Sequence, residues 1–420
     1  MSKLSTEVRA LKDEELEEAF YLMAEAYPGF RVHSAEDRAN ILKRYRSRTR
    51  DKRVTFYGAF RKKVMVGMMR LHDFTMNVRG AWMPAGGVGA VAVHLAHKHQ
   101  HVAKDMMDFY LRHYFDKKAP LAVLWPFRTD FYHNMGFGLG ARMFQYRIAP
   151  ASFPKASMKH VRYLEEDDLP SVNECYNRFA ERRTGMIREN ELVWRNRMAA
   201  QKHMRWAGYV QNGQVRGYVQ YQFDADAAKN FIVNDLEVLD LVYDDREVLS
   251  ELLEFLRVQD DQIRRVVFNT PDDDFYFLLG DVRDDSEKLL PSVNHQSHVA
   301  GVGIMYRVLK PKQCFDKLAK CDFGGVTATV TFNLTDTFFP TGAGKLTVQF
   351  TNGHPKVVKN KKADFTVTLP IAEFSSLLMG AIGFRELHLY RLAEISDDAA
   401  IDTLDRLFAT RYKPLTVTPF

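Results

Sequence analysis

The chain has 420 residues, too many for one ordinary core at roughly 150 residues per domain, so two or three domains are expected. Hydrophobic residues at 46% and charged residues at 27% are ordinary for a soluble globular protein. Apolar runs such as "HVAGVGIMYRVL" fall short of the roughly 20 residues that span a bilayer, and a net charge of +6 with interleaved acids and bases is a weak cue for nucleic acid.

The N-terminal stretch is charged and amphipathic, without an apolar signal core. Cys175, Cys314 and Cys321 show no C-x-x-C spacing, which argues against a disulfide framework or a cysteine-built zinc site. A reducing cytoplasm is the expected compartment, with no membrane and no nucleic acid among the partners.

In chain order, "DEELEEAFYLMAEAY" places Leu16, Phe20 and Met23 on one helical face behind an acidic first turn. The segment from Val54 to Val93 reads as several strands, with Arg61-Lys62-Lys63 as a hairpin turn. "MMDFYLRHYF" is a helix, and "PLAVLWPF" and "FQYRI" are strands. "APASFPKAS" marks the first boundary. Beyond it the grammar restarts: a helix in "EEDDLPSVNECYNRFAER", a hairpin turning at Asn212-Gly213, a strand in "NDLEVLDLVY", a helix, and a strand in "RRVVFNT". From about Gly301 the texture is β-rich, ending in the amphipathic "DDAAIDTLDRLFATRY".

The stretch "VAVHLAHKHQHVAK" packs four histidines and two lysines between Val91 and Lys104. His94, His97 and His101 would share a face if the whole stretch were helical. However, "GVGAVAV" is strand-like, so His94 precedes the helix, and Lys98 and Lys104 would repel a dication. No metal is expected. A strand, a basic loop and a helix beginning near Val102 instead form the general device for a pyrophosphate: free backbone N–H groups aided by the helix dipole.

At this point the chain resembles a family. "VAVHLAHKHQHVA" is similar to the cofactor segment of GNAT-superfamily N-acetyltransferases, and "FYHNMGFG" to their F-Y-x-x-x-G-F/Y segment. "YNRFAERRTGMIRENELVWRNRM", "ADFTVTLPIAEFSSLLMG" and a terminal phenylalanine resemble the Eis (enhanced intracellular survival) acetyltransferases. The resemblance implies an α/β (α+β) chain: a catalytic GNAT domain (1–150), a second, degenerate GNAT domain (151–297) and a sterol-carrier-protein-like domain (298–420), assembled as a homohexamer.

It also implies roles. The backbone of Val91, Ala92 and Val93 would hold the acetyl-pantetheine arm of acetyl-CoA. Lys98, His99, Gln100, His101, Val102, Ala103 and Lys104 would cradle its pyrophosphate, and Phe127 and Arg128 would border the thiol. Tyr132 matches the general acid, and the α-carboxylate of Phe420 the proposed base. The acceptor would be a primary amine: an aminoglycoside, a polyamine or a lysine-like group. Two departures stand out. Lys98 is a point charge where arginine would fork. His101 occupies the usual glycine position. They leave an alternative, a catalytically weakened GNAT-like protein with reduced coenzyme A affinity, serving binding or assembly. A further alternative, an apolar-ligand carrier in residues 300–420, would need an enclosed cavity there.

Overall fold

The computed structural model describes residues 5–27, 29, 32, 34–200, 203–224 and 233–420. The first unit runs through β1 (Glu7–Ala10), α1 (Leu16–Ala26), α2 (Ala35–Arg48), β2 (Val54–Arg61), β3 (Val64–Val78), β4 (Ala81–Val93), α3 (Val102–Asp116), β5 (Leu121–Leu124), α4 (Thr129–His133) and β6 (Gly138–Leu139). Lys62 and Lys63, and then Arg79 and Gly80, hold positive φ at both turn positions. That geometry matches the twist of the strands it joins, so β2, β3 and β4 form a tight meander. Helix α3 buries Met106, Tyr110 and Tyr114 at four-residue spacing.

The second unit repeats the plan. It comprises β7 (Arg142–Ile148), β8 (Val161–Tyr163), α5 (Leu169–Glu181), α6 (Glu191–Ala200), β9 (Arg205–Gln211), β10 (Gln214–Asp224), β11 (Asn234–Tyr243), α7 (Arg246–Arg257) and β12 (Ile263–Thr270). Asn212 and Gly213 make the expected hairpin turn at positive φ. In each unit a meander feeds a helix and then a parallel strand: β4 with β5, and β11 with β12. The weak repeat read from the sequence is thus a repeat of topology.

A small hairpin of β13 (Leu289–Leu290) and β14 (Asn294–His295) leads to β15 (His298–Val302) and β16 (Met305–Val308). The two large sheets have the orders β1-β2-β3-β4-β5-β16-β6 and β15-β7-β12-β11-β10-β9-β8. The sheets do not part at 150 and 297. Strand β7 pairs with β12, while β16 returns to the first sheet between β5 and β6, with Met305 opposite both Leu124 and Leu139.

The last unit contains α8 (Pro311–Lys317), β17 (Ala328–Thr335), β18 (Gly344–Thr351), β19 (His354–Val358), β20 (Phe365–Pro370), α9 (Ile371–Met379), α10 (Phe384–Leu389), β21 (Glu394–Ile395) and α11 (Ile401–Phe408). Its sheet has the order β19-β18-β17-β20-β21. Phe315, Phe323, Phe332, Phe350 and Phe374 interlock at ring separations of 5.4 to 6.2 Å. Side chains therefore fill the interior that an apolar-ligand carrier would need open. The same core continues into Phe74, Met83, Val123 and Tyr306 of the first unit.

Arg79, in the β3–β4 turn, joins these two units. Its guanidinium donates to the carbonyls of Leu407, Phe408 and Ala409 at 3.3, 3.1 and 2.9 Å, closing the C-terminal end of α11. It also lies 4.3 Å from the Phe323 ring centre. Replacing Arg79 with Met, which keeps the aliphatic stem, should lower stability by about 2–3 kcal/mol. Urea unfolding should show this as a lower midpoint with an unchanged slope.

Candidate active site

The site begins where two strands separate. Parallel pairing of β4 with β5 runs from Ala85–Leu121 to Val88–Leu124 and stops, while β4 continues to Val93. On its other edge the register against β3 slips between the pairs Met68–Ala92 and Arg70–Gly89, with Ala90 at φ 50°. This is a bulge, which turns the strand. His94 N donates to Val66 O at 3.0 Å, so strand alternation aims the Val93 amide away from β3 and toward the opened side. Tyr27, at the end of α1, donates its hydroxyl to Val91 O at 2.8 Å.

The loop after β4 ends on the amino terminus of α3. His101 is the residue before that helix, at φ 65° and ψ 9°, a left-handed conformation that favours glycine. The glycine preference inferred for this position therefore has a backbone cause. Among the described residues, the amides of His99, Gln100, His101, Val102, Ala103 and Lys104 find no acceptor; the next one, Asp105 N, bonds His101 O at 3.0 Å. His94 Nδ1 accepts from Ala96 N at 3.2 Å, and His97 Nδ1 meets Gln100 Oε1 at 3.2 Å. These imidazoles shape the loop rather than converge as metal ligands.

A cleft of about 760 Å³ lies over this surface. Val91, Ala92, Val93, Lys98, His99, His101, Val102, Ala103, Lys104, Phe127 and Arg128 line it, joined by Tyr27, Phe131 and Met135. Gln100 does not. It is held instead by Arg61, which donates to Gln100 Oε1 at 3.0 Å and to Gln100 O at 2.8 Å. Arg61 also bonds Thr6 Oγ1 at 3.0 Å and lies 3.7 Å from Asp105. The sequence showed Arg61 only as a turn residue; the structure makes it the brace of the cradle. Tyr27 was also missed, since nothing local links it to a strand 64 residues away.

Tyr132 lies behind the cleft wall, 3% exposed, with its ring edge-on to those of Phe127 and Phe131. Burial, and then the neighbouring Tyr27, push its pKa above the ordinary tyrosine value. Phe420 also stands off the cofactor cleft, at the base of the opened strand. A Cβ on Gly89 would lie 2.9 Å from the Phe420 carboxyl carbon and 3.2 Å from an Arg70 nitrogen, so the chain terminus and a guanidinium meet above this residue. The Phe420 ring rests on Phe74, His72 and Trp125 at 5.0, 5.6 and 6.5 Å. His72 accepts from Arg70 Nε at 2.8 Å, and burial followed by the Arg70 charge pushes it far below the usual histidine range, leaving it neutral.

Residues 7–140 match a family model described as an acetyltransferase (GNAT) domain, and residues 185–308 match a second model of that description. Together these matches cover more than half of the chain. The chain belongs to the GNAT acetyltransferases. Residues 316–417 match a sterol carrier protein domain. No curated protein matches the chain by sequence.

Among solved structures, a GCN5-related N-acetyltransferase from Kribbella flavida is 17% identical with a TM-score of 0.76. One from Anabaena variabilis is 16% identical with a TM-score of 0.78, and Eis1 from Mycobacterium abscessus is 18% identical with a TM-score of 0.75. Each comparison covers 99% of this chain and 100% of the other. At such identities the likeness is one of fold, and the fold is the one the Eis resemblance implied: two GNAT units and a sterol-carrier unit.

The two GNAT units differ where an anion would sit. In the second, the residue before α7 is Asp245, whose carboxylate accepts from Glu247 N and Val248 N at 3.0 and 3.1 Å. The helix-start amides that stand open in the first unit are occupied by the chain's own anion in the second.

The Arg61→Met variant should loosen the cradle and weaken coenzyme A binding about tenfold, equivalent to 1.4 kcal/mol, while leaving affinity for a pantetheine fragment unchanged. Calorimetric titration of both ligands checks this. His101→Gly should change stability by less than about 1 kcal/mol, because relief of the left-handed strain offsets glycine's added chain entropy, and should tighten coenzyme A.

Proposed function

We propose that the protein transfers the acetyl group of acetyl-CoA to a primary amine by direct attack within a ternary complex. The reading is carried by one observation: the acceptor-less amides from His99 to Lys104, continuous with the open edge of β4. In this reading those amides, with Lys98 and Lys104, hold the diphosphate. The Val91–Val93 backbone orients the pantetheine arm, and Phe127 and Arg128 border the thiol. A strand amide polarises the thioester carbonyl while the C–N bond forms and the C–S bond breaks.

Tyr132 gives its proton to the departing sulfur. The Phe420 carboxylate receives the proton of the attacking amine. With a free pKa of roughly 3.5 and Arg70 close by, it is a weak base, so it acts on an amine that is already neutral or passes the proton to water. The acceptor class is an aminoglycoside, polyamine or lysine-like amine. We also propose a cytoplasmic setting and homohexameric assembly, in line with the Eis resemblance. All three cysteines are free, and among the described residues no helix is long and apolar enough to cross a membrane.

Titration with acetyl-CoA and assay of thiol release across an amine panel test the proposal. No binding at millimolar acetyl-CoA would overturn it. Binding without turnover would support the binding or assembly module that the His101 side chain in the cradle favours. Tyr132→Phe should lower kcat by about 10²–10⁴ with little change in acetyl-CoA binding. Because the protonated phenol is the working form and its pKa is raised, activity should be lost only as pH climbs through that raised value. The rate should therefore rise with pH toward the amine's own pKa, about 10.4 for a lysine-like acceptor, without an earlier fall from Tyr132.

A further inference from the structure

The segment that carries much of the Eis resemblance, "RFAERRTGMIRENE", contains no group that faces the cofactor cleft, yet it lies between two parts of the molecule that do the work. Along one side it follows β3: Gly185 N donates to Asn77 O, Asn77 N to Met186 O, and Arg188 N to Thr75 O, each at 2.8 Å. Met76 faces Ile187 across this bridge.

Along the other side runs the C-terminal tail. Leu415 N donates to Thr184 O at 2.8 Å and Thr416 Oγ1 to Gly185 O at 2.7 Å. Gly185 has φ +92°, and a Cβ there would stand 2.8 Å from both Leu415 O and the Tyr306 hydroxyl, so only glycine fits. Nearer the end of the tail, Thr418 Oγ1 donates to Glu189 Oε1 at 2.9 Å.

Glu189 is 5% exposed. Its second oxygen lies 3.3 Å from Arg53 of the first unit, and Arg197 stands 4.0 Å from the first. Asn177 fixes its backbone on both sides, donating to Glu189 O at 3.0 Å and accepting from Glu189 N at 3.2 Å. A buried carboxylate needs such company, and truncating one partner of a buried charged pair is strongly destabilising. The same carboxylate therefore ties Arg53 of the first unit, the central segment and Thr418 of the tail at one point.

We propose that Glu189 and Thr418 form a clamp that sets where the chain's terminal carboxylate stands in the acetyl-transfer site, making Glu189 a positioning residue. Chain ends fray unless tied down. Phe420 lies two positions beyond Thr418, with Pro419 between them, a reach of at most about 7 Å, so the place of Thr418 bounds the place of the carboxylate. The Phe420 ring, seated on Phe74, His72 and Trp125, fixes what freedom is left. The central segment thus acts as the template on which a residue 231 positions away from Glu189 is delivered to Gly89.

This inference rests on the reading that the Phe420 carboxylate serves acetyl transfer, and the test separates the two. Three full-length variants are compared: Thr418→Val, which removes the donor at nearly constant size; Thr418→Ser, which keeps it; and a glycine inserted between Thr418 and Pro419, which leaves the clamp but displaces the carboxylate. Hydrogen exchange of the peptide ending at Phe420 should quicken about tenfold or more in Thr418→Val and stay at the wild-type rate in Thr418→Ser. In Thr418→Val, kcat should fall about tenfold with KM for acetyl-CoA within twofold, and Thr418→Ser should restore it. The glycine insertion should lower kcat comparably while exchange at Leu415 is unchanged. Wild-type exchange in Thr418→Val overturns the clamp. So does faster exchange with normal kcat when the insertion does lower kcat. If exchange quickens but neither Thr418→Val nor the insertion alters kcat, it is the carboxylate reading that fails.

Discussion

The structure turns on a strand that outruns its neighbour. After Val88 and Leu124 the parallel ladder ends, and β4 carries on for five residues with one edge unpaired by β5. Main-chain N–H and C=O groups in a half-buried strand require partners, and an edge left open inside a molecule must be served by side chains, solvent or a ligand. Tyr27 serves one carbonyl. The Val93 amide points into the opening, and the amides at the head of α3 extend the row. This is a binding surface made of backbone, which is why residue identity along it is so loosely constrained. Lysine, histidine and alanine all occupy it, because the donors belong to every residue. What is constrained is backbone shape, and Arg61 holds that by gripping both the side chain and the carbonyl of Gln100.

That surface is not the property of one contiguous stretch of chain. Strand β16 closes the first sheet after the chain has built the second, and the core beneath the first sheet runs without a break into the phenylalanine cluster of the last unit. Arg307 on β16 is fully buried, pairing with Asp336 and donating to Met135 O. A Cβ on Gly136, already at φ +79°, would collide with the Arg307 guanidinium. The glycine of "FYHNMGFG" is thus explained by an arginine from a strand more than 160 positions later. At the end of α4, His133 Nε2 meets Glu373 of α9 at 2.7 Å, a contact that raises the histidine pKa and fastens the helix carrying Tyr132 to the last unit. The units therefore behave as one interlocked body around the cleft.

What could be read from the sequence follows from range. Periodicity and turn chemistry are local, so α1, α3, the Asn212-Gly213 turn and the repeated helix–hairpin–strand order were legible with nearly their observed limits. The position of His101 was legible as an anomaly, and its left-handed backbone supplies the cause. At the site, what went unread is long-range contact. The turn residue Arg61 reaches Gln100, Tyr27 reaches Val91, and the strand Met305–Val308 leaves its sequence neighbours for another sheet. Gln100 offers its open amide to the cradle while its side chain is held by Arg61 and the Ala96 carbonyl. No pattern in one sequence reports such partners, since nothing local distinguishes an arginine that braces a loop from one that faces water.

The comparison between the two GNAT units shows how little separates an open anion cradle from a closed one. Both place a helix start beside the end of the strand that precedes it. In the first unit an eight-residue loop, His94–His101, with four histidines and one lysine approaches α3, and no acid stands at its threshold. In the second, Asp244 and Asp245 alone separate strand from helix; Asp245 takes two of the amides, and Arg178 and Arg216 are engaged by these acids at 3.1 and 2.5 Å. A diphosphate arriving there would meet like charge at contact range, with the nearby guanidiniums already paired. At an effective dielectric constant of about 20, two unit charges 4 Å apart repel by roughly 4 kcal/mol, enough to cancel the pull of a helix dipole several times over. Closing an anion site in such a unit therefore needs no rebuilding of the fold. One carboxylate at the helix start both satisfies the amides and repels the ligand.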